Sequence, residues 1–255
     1  RAAIDWNSFN VGSDARVNFN QPSASSVTLN RVVGGDPSHI MGRINAPGQV
    51  FISNASGVIF GAKSQVDVGG LLVTTMGISN EDFMTGKSSF SGNGTNASVV
   101  NQGQLQASLG GYIALLAPQV RNEGVIVAKE GTVALAAGDK VTLQFAGQSL
   151  TAVQVDRAVV DALVDNQHLV RAEGGYVVMT ARSANALLQN VVKNSGSVQA
   201  PSLVNRQGRI VLEGGSLGRV DVAGSLSATG DKGLSGGSVL VMGEQVQLSP
   251  GAAID

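Results

Sequence analysis

The chain contains 255 residues with a formal net charge of −1, and apolar residues make up 43% of it while charged residues make up only 14%. This composition, with 34 glycines and few aromatic residues, excludes a disordered chain and favours an all-β protein over a helical enzyme. The balanced charge argues against a nucleic-acid partner. The lack of cysteine excludes disulfides and thiolate metal sites. The lack of an 18-residue apolar run argues against a membrane-spanning helix.

The first third of the chain predicts short strands with one buried face. Apolar residues alternate with other residues there, and a period of two places them on one side of a strand. The clearest pairs are Val50/Ile52, Val58/Phe60 and Val66/Val68. Residues 54–57 (Asn-Ala-Ser-Gly) predict a tight turn between two such strands, with Gly57 at positive φ and Asn54 and Ser56 bonded to turn backbone.

Residues 76–97 are rich in Gly, Ser, Asn and Thr. They predict an excursion from the main body, with a helical turn that Ser79 or Asn80 caps.

From residue 99 onward the sequence repeats itself. An Asn-x-Gly phrase at Asn101 returns at Asn122, a period of 21, and looser copies follow at Asn166 and Asn194. One repeat is too short to bury its apolar face alone, so stacked repeats are expected. The repeats predict a right-handed parallel β-helix, a solenoid with short extra-helical insertions, in which Asn101 and Asn122 form an amide ladder at equivalent corners. We expect residues 1–98 to form the less regular cap part of this β-helix and residues 99–255 to form regular repeats continuous with it.

Two segments interrupt the period. Residues 156–165 and 183–190 each begin near an N-cap type of residue and cluster apolar residues at helical spacing. Both are predicted to leave the strand pattern, at least one as a short helix.

Two G-x-S-x-G patterns, centred on Ser216 and Ser235, match the sequence of a hydrolase nucleophile elbow. The α/β-hydrolase order requires a histidine after the serine, but His39 and His168 both precede Ser216. A polysaccharide lyase with carboxylates on distant coils is the remaining enzymatic alternative. We therefore predict no enzyme, no catalytic residue, no cofactor and no metal site.

The first 90 residues carry several longer motifs. Residues 6–12 are Trp-Asn-Ser-Phe-Asn-Val-Gly, residues 21–32 are Gln-Pro-Ser-Ala-Ser-Ser-Val-Thr-Leu-Asn-Arg-Val, and Val-Gly-Gly-Leu at 68–71 precedes Asp-Phe at 82–83. In this order they resemble the two-partner-secretion, or haemagglutination-activity, domain of large exoproteins of the filamentous-haemagglutinin type. The chain departs from the family at 54–57, where Asn-Ala-Ser-Gly replaces the family's Asn-Pro-Asn-Gly and the stiffening proline is lost.

This resemblance implies an N-terminal secretion domain, preceded by a signal peptide and capping strands. The periplasmic domains of an Omp85-type outer-membrane transporter would recognise it, and it would nucleate β-helix folding of a passenger that reaches the bacterial surface or the medium via the periplasm. Its recognition motif would comprise Asn30, Arg31, Asn54, Ser56 and Gly57. A second hypothesis is an adhesive module that binds host or matrix glycan through the β-helix surface. Export of the fragment by its transporter, or glycan binding by it, would distinguish the two.

Overall fold

Short strands dominate the computed structural model, which describes residues 1–184, 191–230 and 233–255. The elements of the first part are β1 (Ala2–Trp6), β2 (Arg16–Asn18), β3 (Val27–Val32), β4 (Ser38–Ile40), β5 (Arg43–Asn54), β6 (Val58–Phe60), β7 (Gln65–Thr74), helix α1 (Asn80–Thr85), β8 (Ser89–Ser91) and β9 (Ser98–Asn101). Within the described ranges, no helix has the length and apolar character needed to cross a membrane.

The later elements are shorter and more regular. They are β10 (Gln104–Ala107), β11 (Tyr112–Ala117), β12 (Gln119–Asn122), β13 (Val125–Ala128), β14 (Thr132–Ala137), β15 (Lys140–Ala146), β16 (Ser149–Arg157), β17 (Leu163–Asn166), β18 (Leu169–Arg171), β19 (Tyr176–Ala181), β20 (Val192–Asn194), β21 (Ser197–Gln199), β22 (Arg209–Glu213), β23 (Arg219–Val222), β24 (Ser225–Ser227), β25 (Ser238–Met242), β26 (Gln245–Leu248) and β27 (Ala253–Ile254).

Successive coils stack these strands in parallel on three faces. Sheet 1 contains β2, β5, β7, β10, β13, β18, β21, β24 and β27; sheet 2 contains β1, β3, β5, β7, β11, β14, β19, β22 and β25; sheet 3 contains β4, β6, β9, β12, β17, β20, β23 and β26. The long strands β5 and β7 bend between faces, so they take part in both sheet 1 and sheet 2. The all-β, parallel β-helix fold predicted from the repeat is confirmed.

The corner between sheet 3 and sheet 1 has the same length in the five coils from β9 to β24. Two residues separate β9 from β10, β12 from β13, β17 from β18, β20 from β21, and β23 from β24. The other two corners vary. Partnered asparagines on successive coils are 21, 44 and 28 residues apart, and the longest of these intervals contains the β15–β16 hairpin.

The inner core consists of apolar side chains that stack in register from coil to coil. One such column lies on sheet 2 and contains Ile52, Val73, Leu115, Leu135 and Met179, all fully buried. At about 1.5–3 kcal/mol for each fully buried apolar side chain, this stacking is the main source of stability.

A second core lies outside sheet 2. Its outward apolar column contains Leu29, Phe51, Leu72, Ala114, Ala134, Val178 and Val211. Helix α1 and an antiparallel sheet of β8, β15 and β16 contribute Phe83, Phe90 and Val155 to the same cluster. With both faces covered, β11 and β14 are buried at every position and lose the alternation of a half-exposed strand.

The predicted excursion with a capped helical turn is confirmed. The backbone N–H of Asp82 donates to Ser79 Oγ at 3.0 Å, which makes Ser79 the N-cap of α1. The helix ends at Gly86 with φ 84°, and its buried Phe83 packs edge-on against Phe51, with ring centroids 5.9 Å apart.

Residues 156–165 leave the strand pattern only in part and form no helix. Residues 156 and 157 end β16, residues 158–162 form a turn, and β17 follows. The helix-like spacing arises from a strand end beside a turn: Ala162 and Val164 are buried in the inner core, while Val160 is 56% exposed. In the second segment, Ser183 forms an isolated bridge with Val159, and residues 185–190 lie outside the described part of the chain.

Candidate recognition surface at the N-terminal coils

The turn at 54–57 is held mainly by the side chain of Asn54, which is fully buried. Its Oδ1 accepts the backbone N–H of Ser56 at 2.9 Å. Its Nδ2 donates to the carbonyl of Asp36 at 3.0 Å and to Ser38 Oγ at 2.9 Å. The Asn54 side chain thus accepts a backbone hydrogen bond within its own turn and connects this turn to the preceding coil.

Gly57 has the positive φ that the sequence predicted, with a value of 111°. Its N–H donates to the Asn54 carbonyl and its own carbonyl accepts the N–H of Ser38, both at 3.0 Å. A Cβ at this position would lie 3.0 Å from the Ser98 carbonyl oxygen. The positive φ and the close approach of the Ser98 carbonyl therefore both favour glycine at position 57. The half-buried Ser56 donates through Oγ to the Gly35 carbonyl at 2.8 Å.

Asn30 and Arg31 connect β3 to its surroundings in different ways. Asn30 is fully buried, accepts from Trp6 Nε1 at 3.1 Å and donates to the Phe51 carbonyl at 3.2 Å. Arg31 pairs with Asp5 at 3.2 Å on β1 and donates to Asn80 Oδ1 at 2.7 Å on α1. Because Asn30 bonds inside the fold and Arg31 bonds along its outside, the two neighbours have different access to a partner.

The structure thus separates the five candidate residues by accessibility. Asn30, Asn54 and Gly57 are buried and can act on recognition only by shaping the fold. Arg31 and Ser56 are partly exposed. Exposed Asp5 and Asp36 lie beside them; the sequence interpretation did not select these acids, although Asp5 lies next to the motif that begins at residue 6.

The predicted amide ladder is confirmed and extends beyond the predicted pair Asn101 and Asn122. Asn101 Nδ2 donates to Asn122 Oδ1 at 2.8 Å, Asn122 to Asn166 at 2.7 Å, and Asn166 to Asn194 at 2.7 Å. Asn101 Oδ1 accepts from the N–H of Gly103 at 3.1 Å, so each end of the ladder bonds to the backbone. All four side chains are at most 1% exposed. The ladder holds neighbouring coils in register.

Tyr112 and Asp82 are titratable groups whose pKa values are shifted by burial and by hydrogen bonds. Burial raises the pKa of Tyr112, whose hydroxyl donates to Gln49 Oε1 at 2.6 Å. Hydrogen bonds from Lys87 and then Ser79 lower the pKa of Asp82 at the start of α1. Within the described ranges, no group of three or more His, Cys, Asp or Glu residues is placed to hold a metal ion.

The model of the TPS secretion domain family matches residues 1–232. The chain belongs to this family, the secretion domains of two-partner secretion. Two curated relatives from Haemophilus influenzae, each a heme/hemopexin-binding protein, are 33% identical over 216 residues and 29% identical over 236 residues. The matches cover 82% and 83% of this TPS domain but 24% and 25% of the relatives. The chain therefore spans about a quarter of their length.

Solved structures agree with this assignment. The HMW1 secretion domain from Haemophilus influenzae matches 99% of the TPS domain and 66% of its own chain, with a TM-score of 0.86 and 27% identity. The filamentous hemagglutinin secretion domain matches 98% of the TPS domain and 86% of its own chain, with a TM-score of 0.58 and 17% identity, which shows a shared fold. The family resemblance noted in residues 4–90 is confirmed.

Proposed function

We propose that this TPS domain is recognised by the periplasmic domains of a partner outer-membrane transporter of the Omp85 type and nucleates β-helix folding of a large secreted exoprotein. The observation that carries the proposal is the family match across residues 1–232. The role is one of binding and folding, without a catalytic step or cofactor. No comparison favours the alternative of a glycan-binding adhesin module.

The N-terminal coils have the contacts expected of a folding nucleus. Asn54 bonds three backbone or side-chain groups across two coils, and Arg31 joins β1 to α1. Phe51 also packs against Phe83 and Phe90 on the outside. In a solenoid each coil is stabilised by its neighbours, so a first unit that is stable through such contacts can serve as a template.

For recognition, we propose the exposed polar surface made by Asp5, Arg31, Asp36 and Ser56. The test is co-expression of the chain, with a signal peptide, and its partner transporter, followed by quantification of the chain in the medium. Asp36→Lys should reduce export with an unchanged melting temperature, because the Asp36 side chain is exposed and only its carbonyl supports the fold. Asn54→Ala should lower the melting temperature as well as export.

Asp67→Lys provides the matched control, since Asp67 is an exposed acid on sheet 1, away from the turn. It should be exported like the wild-type chain. Equal export of Asp36→Lys and Asp67→Lys would contradict the proposed surface, and export that does not depend on the transporter would overturn the proposed function as a whole.

A further inference from the structure

Sheet 3 carries an outward column of side chains whose charge changes sign from coil to coil. Arg121 on β12, Asp165 on β17, Lys193 on β20 and Asp221 on β23 lie in register. The residues before and after each of them are valines or asparagines that are buried in the core. Because side chains alternate along a strand, the four charged side chains point outward. β9 and β26 flank these strands, so the column lies inside the described solenoid and not at either end.

Most of this charge has no partner within the chain. Among the described residues, Arg121 and Lys193 form no ion pair, and neighbouring members of the column form none with one another. Asp165 Oδ2 accepts from a neutral glutamine amide at 2.7 Å. Asp221 alone has a cation beside it, Arg219 on its own strand at 2.6 Å. Three of the four charges are therefore available to another molecule.

The alternation is complementary to itself when two columns run in opposite directions. A two-fold axis parallel to the strands, between β17 and β20, places Asp165 opposite the partner's Lys193. It also places Arg121 opposite the partner's Asp221, and the symmetry forms each pair twice. Parallel packing in register would instead place like charges opposite each other. The charge pattern therefore favours a second copy in antiparallel orientation.

The flanking charges fit the same arrangement. The residue after the column on β12 is Glu123, whose position on β23 is taken by Ala223. Arg219 precedes the column on β23, at the position that Gln119 takes on β12. The two-fold axis exchanges β12 with β23, so each flanking charge faces a neutral residue of the second copy. No pair of like charges is brought together.

We propose that sheet 3 is a self-association surface on which two copies of this chain pack face to face in antiparallel orientation. The charged column spans four strands about 4.8 Å apart, which makes a small interface. A dissociation constant on the order of 0.1–1 mM is expected for it. Salt should weaken the association, because the column is exposed or half-buried and its charges are screened. This inference does not depend on the proposed secretion role and is tested separately.

Sedimentation equilibrium of the chain at concentrations up to about 1 mM, at low and at physiological salt, measures the association. Lys193→Asp should weaken it roughly tenfold, because two attractive pairs between the copies become repulsive. Arg16→Asp is the matched control, since it makes the same change in net charge on exposed sheet 1. It should associate like the wild-type chain. Unchanged circular dichroism spectra would show that both variants fold.

The exchange Asp165→Lys/Lys193→Asp separates association from a charge ladder within one chain. Within the chain, it places two positive and then two negative side chains on successive coils, so attraction between neighbouring coils is lost. Between antiparallel copies, positions 165 and 193 still face each other with opposite charges. The exchange should therefore restore association to the wild-type level without raising the melting temperature.

A chain that stays monomeric at all these concentrations would overturn the proposal. Association that Lys193→Asp leaves unchanged, or that the charge exchange does not restore, would overturn it as well. NMR of the isotopically labelled chain gives the location: amide shifts that change on dilution should lie on β12, β17, β20 and β23. Changes confined to sheet 1 or to the outer sheet would place the contact elsewhere and contradict the proposed surface.

Discussion

Replacing Asn122 with Ala removes an internal member of the asparagine ladder. Its Oδ1 accepts from Asn101 Nδ2 at 2.8 Å, and its Nδ2 donates to Asn166 Oδ1 at 2.7 Å and to the Leu169 carbonyl at 3.3 Å. The amides of Asn101 and Asn166 are fully buried, so water does not replace the lost partner. The variant loses hydrogen bonds and leaves buried polar groups unsatisfied.

Two contributions set the loss of unfolding free energy expected for Asn122→Ala. Each net hydrogen bond contributes about 0.5–1.5 kcal/mol, and each buried group left without a partner costs about 1–3 kcal/mol. The terms overlap, because the orphaned groups are the former partners, so we expect a loss of about 3–5 kcal/mol for Asn122→Ala. This is a large fraction of the roughly 5–15 kcal/mol by which domains are stable.

Two variants calibrate this value. Asn194→Ala removes the end of the ladder, where one bond to Asn166 is strong and two carbonyl contacts are long at 3.3 Å, and should lose about 1–3 kcal/mol. Asn45→Ala removes an exposed amide pair with Asn18 at 2.9 Å on sheet 1. It should change stability by less than about 0.5 kcal/mol.

Urea unfolding measures these differences. Far-UV circular dichroism reports on all coils, and fluorescence of Trp6, the single tryptophan, reports on the N-terminal coil. The free energy of unfolding follows from the midpoint and slope of each transition. If Asn122→Ala loses no more stability than Asn45→Ala, the ladder does not stabilise the coils, and the argument from buried amides is refuted.

Three further changes test the turn, a corner and the outer core. Gly57→Val should lower stability by about 2–4 kcal/mol in urea unfolding, because φ is 111° and a Cβ would crowd the Ser98 carbonyl; an unchanged midpoint would contradict this. Glu130→Gly should raise stability by about 0.5–1 kcal/mol in the same assay, because Glu130 has φ 54°, and a lower midpoint would show that the corner is not strained. Burial raises the pKa of Tyr112, so the stabilising effect of its neutral, buried hydroxyl is present below the unfolded pKa of about 10 and is lost as the pH rises above it. Tyr112→Phe should therefore flatten the fall in urea midpoint between pH 9 and 11. An equally steep fall would refute this assignment.

The features predicted from sequence are those fixed by local chemistry. The turn at 54–57 depends on Asn54 and Gly57 within four residues, and the ladder depends on one residue type at a recurring corner. Ser79 is likewise the N-cap of α1, as expected for a serine at the start of a helix. In each case the deciding contacts are close in sequence or repeat with a visible period.

The outer sheet depends on contacts that no local pattern specifies. β8 pairs with β15 across an interval of about fifty residues, so period and turn signals do not reveal it. The uninterrupted apolar runs of β11 and β14 were the available signal, because burial on both faces removes alternation. At 156–165, where no helix forms, apolar residues from a turn and a strand end imitate helical spacing.

The recognition motif stays a prediction, and the sequence did not indicate which of its side chains are exposed. The family resemblance implies that Asn30 and Asn54 belong to the recognition motif, yet both are fully buried and bonded within the fold. A strand alternates faces, so a shift of one residue separates a buried Asn30 from a partly exposed Arg31. Which face is inward is decided by the stacked coils around them.

The two-residue corner between sheets 3 and 1 in the coils from β9 to β24 limits where the chain accepts new sequence. Its two-residue turns recur in five coils, and an insertion there would displace an asparagine from its neighbours on both sides. The corner after sheet 2 instead accommodates a single residue after β11 and an entire hairpin after β14. Loop grafts for display or labelling therefore belong at the corner after sheet 2, where added length leaves the coil register intact.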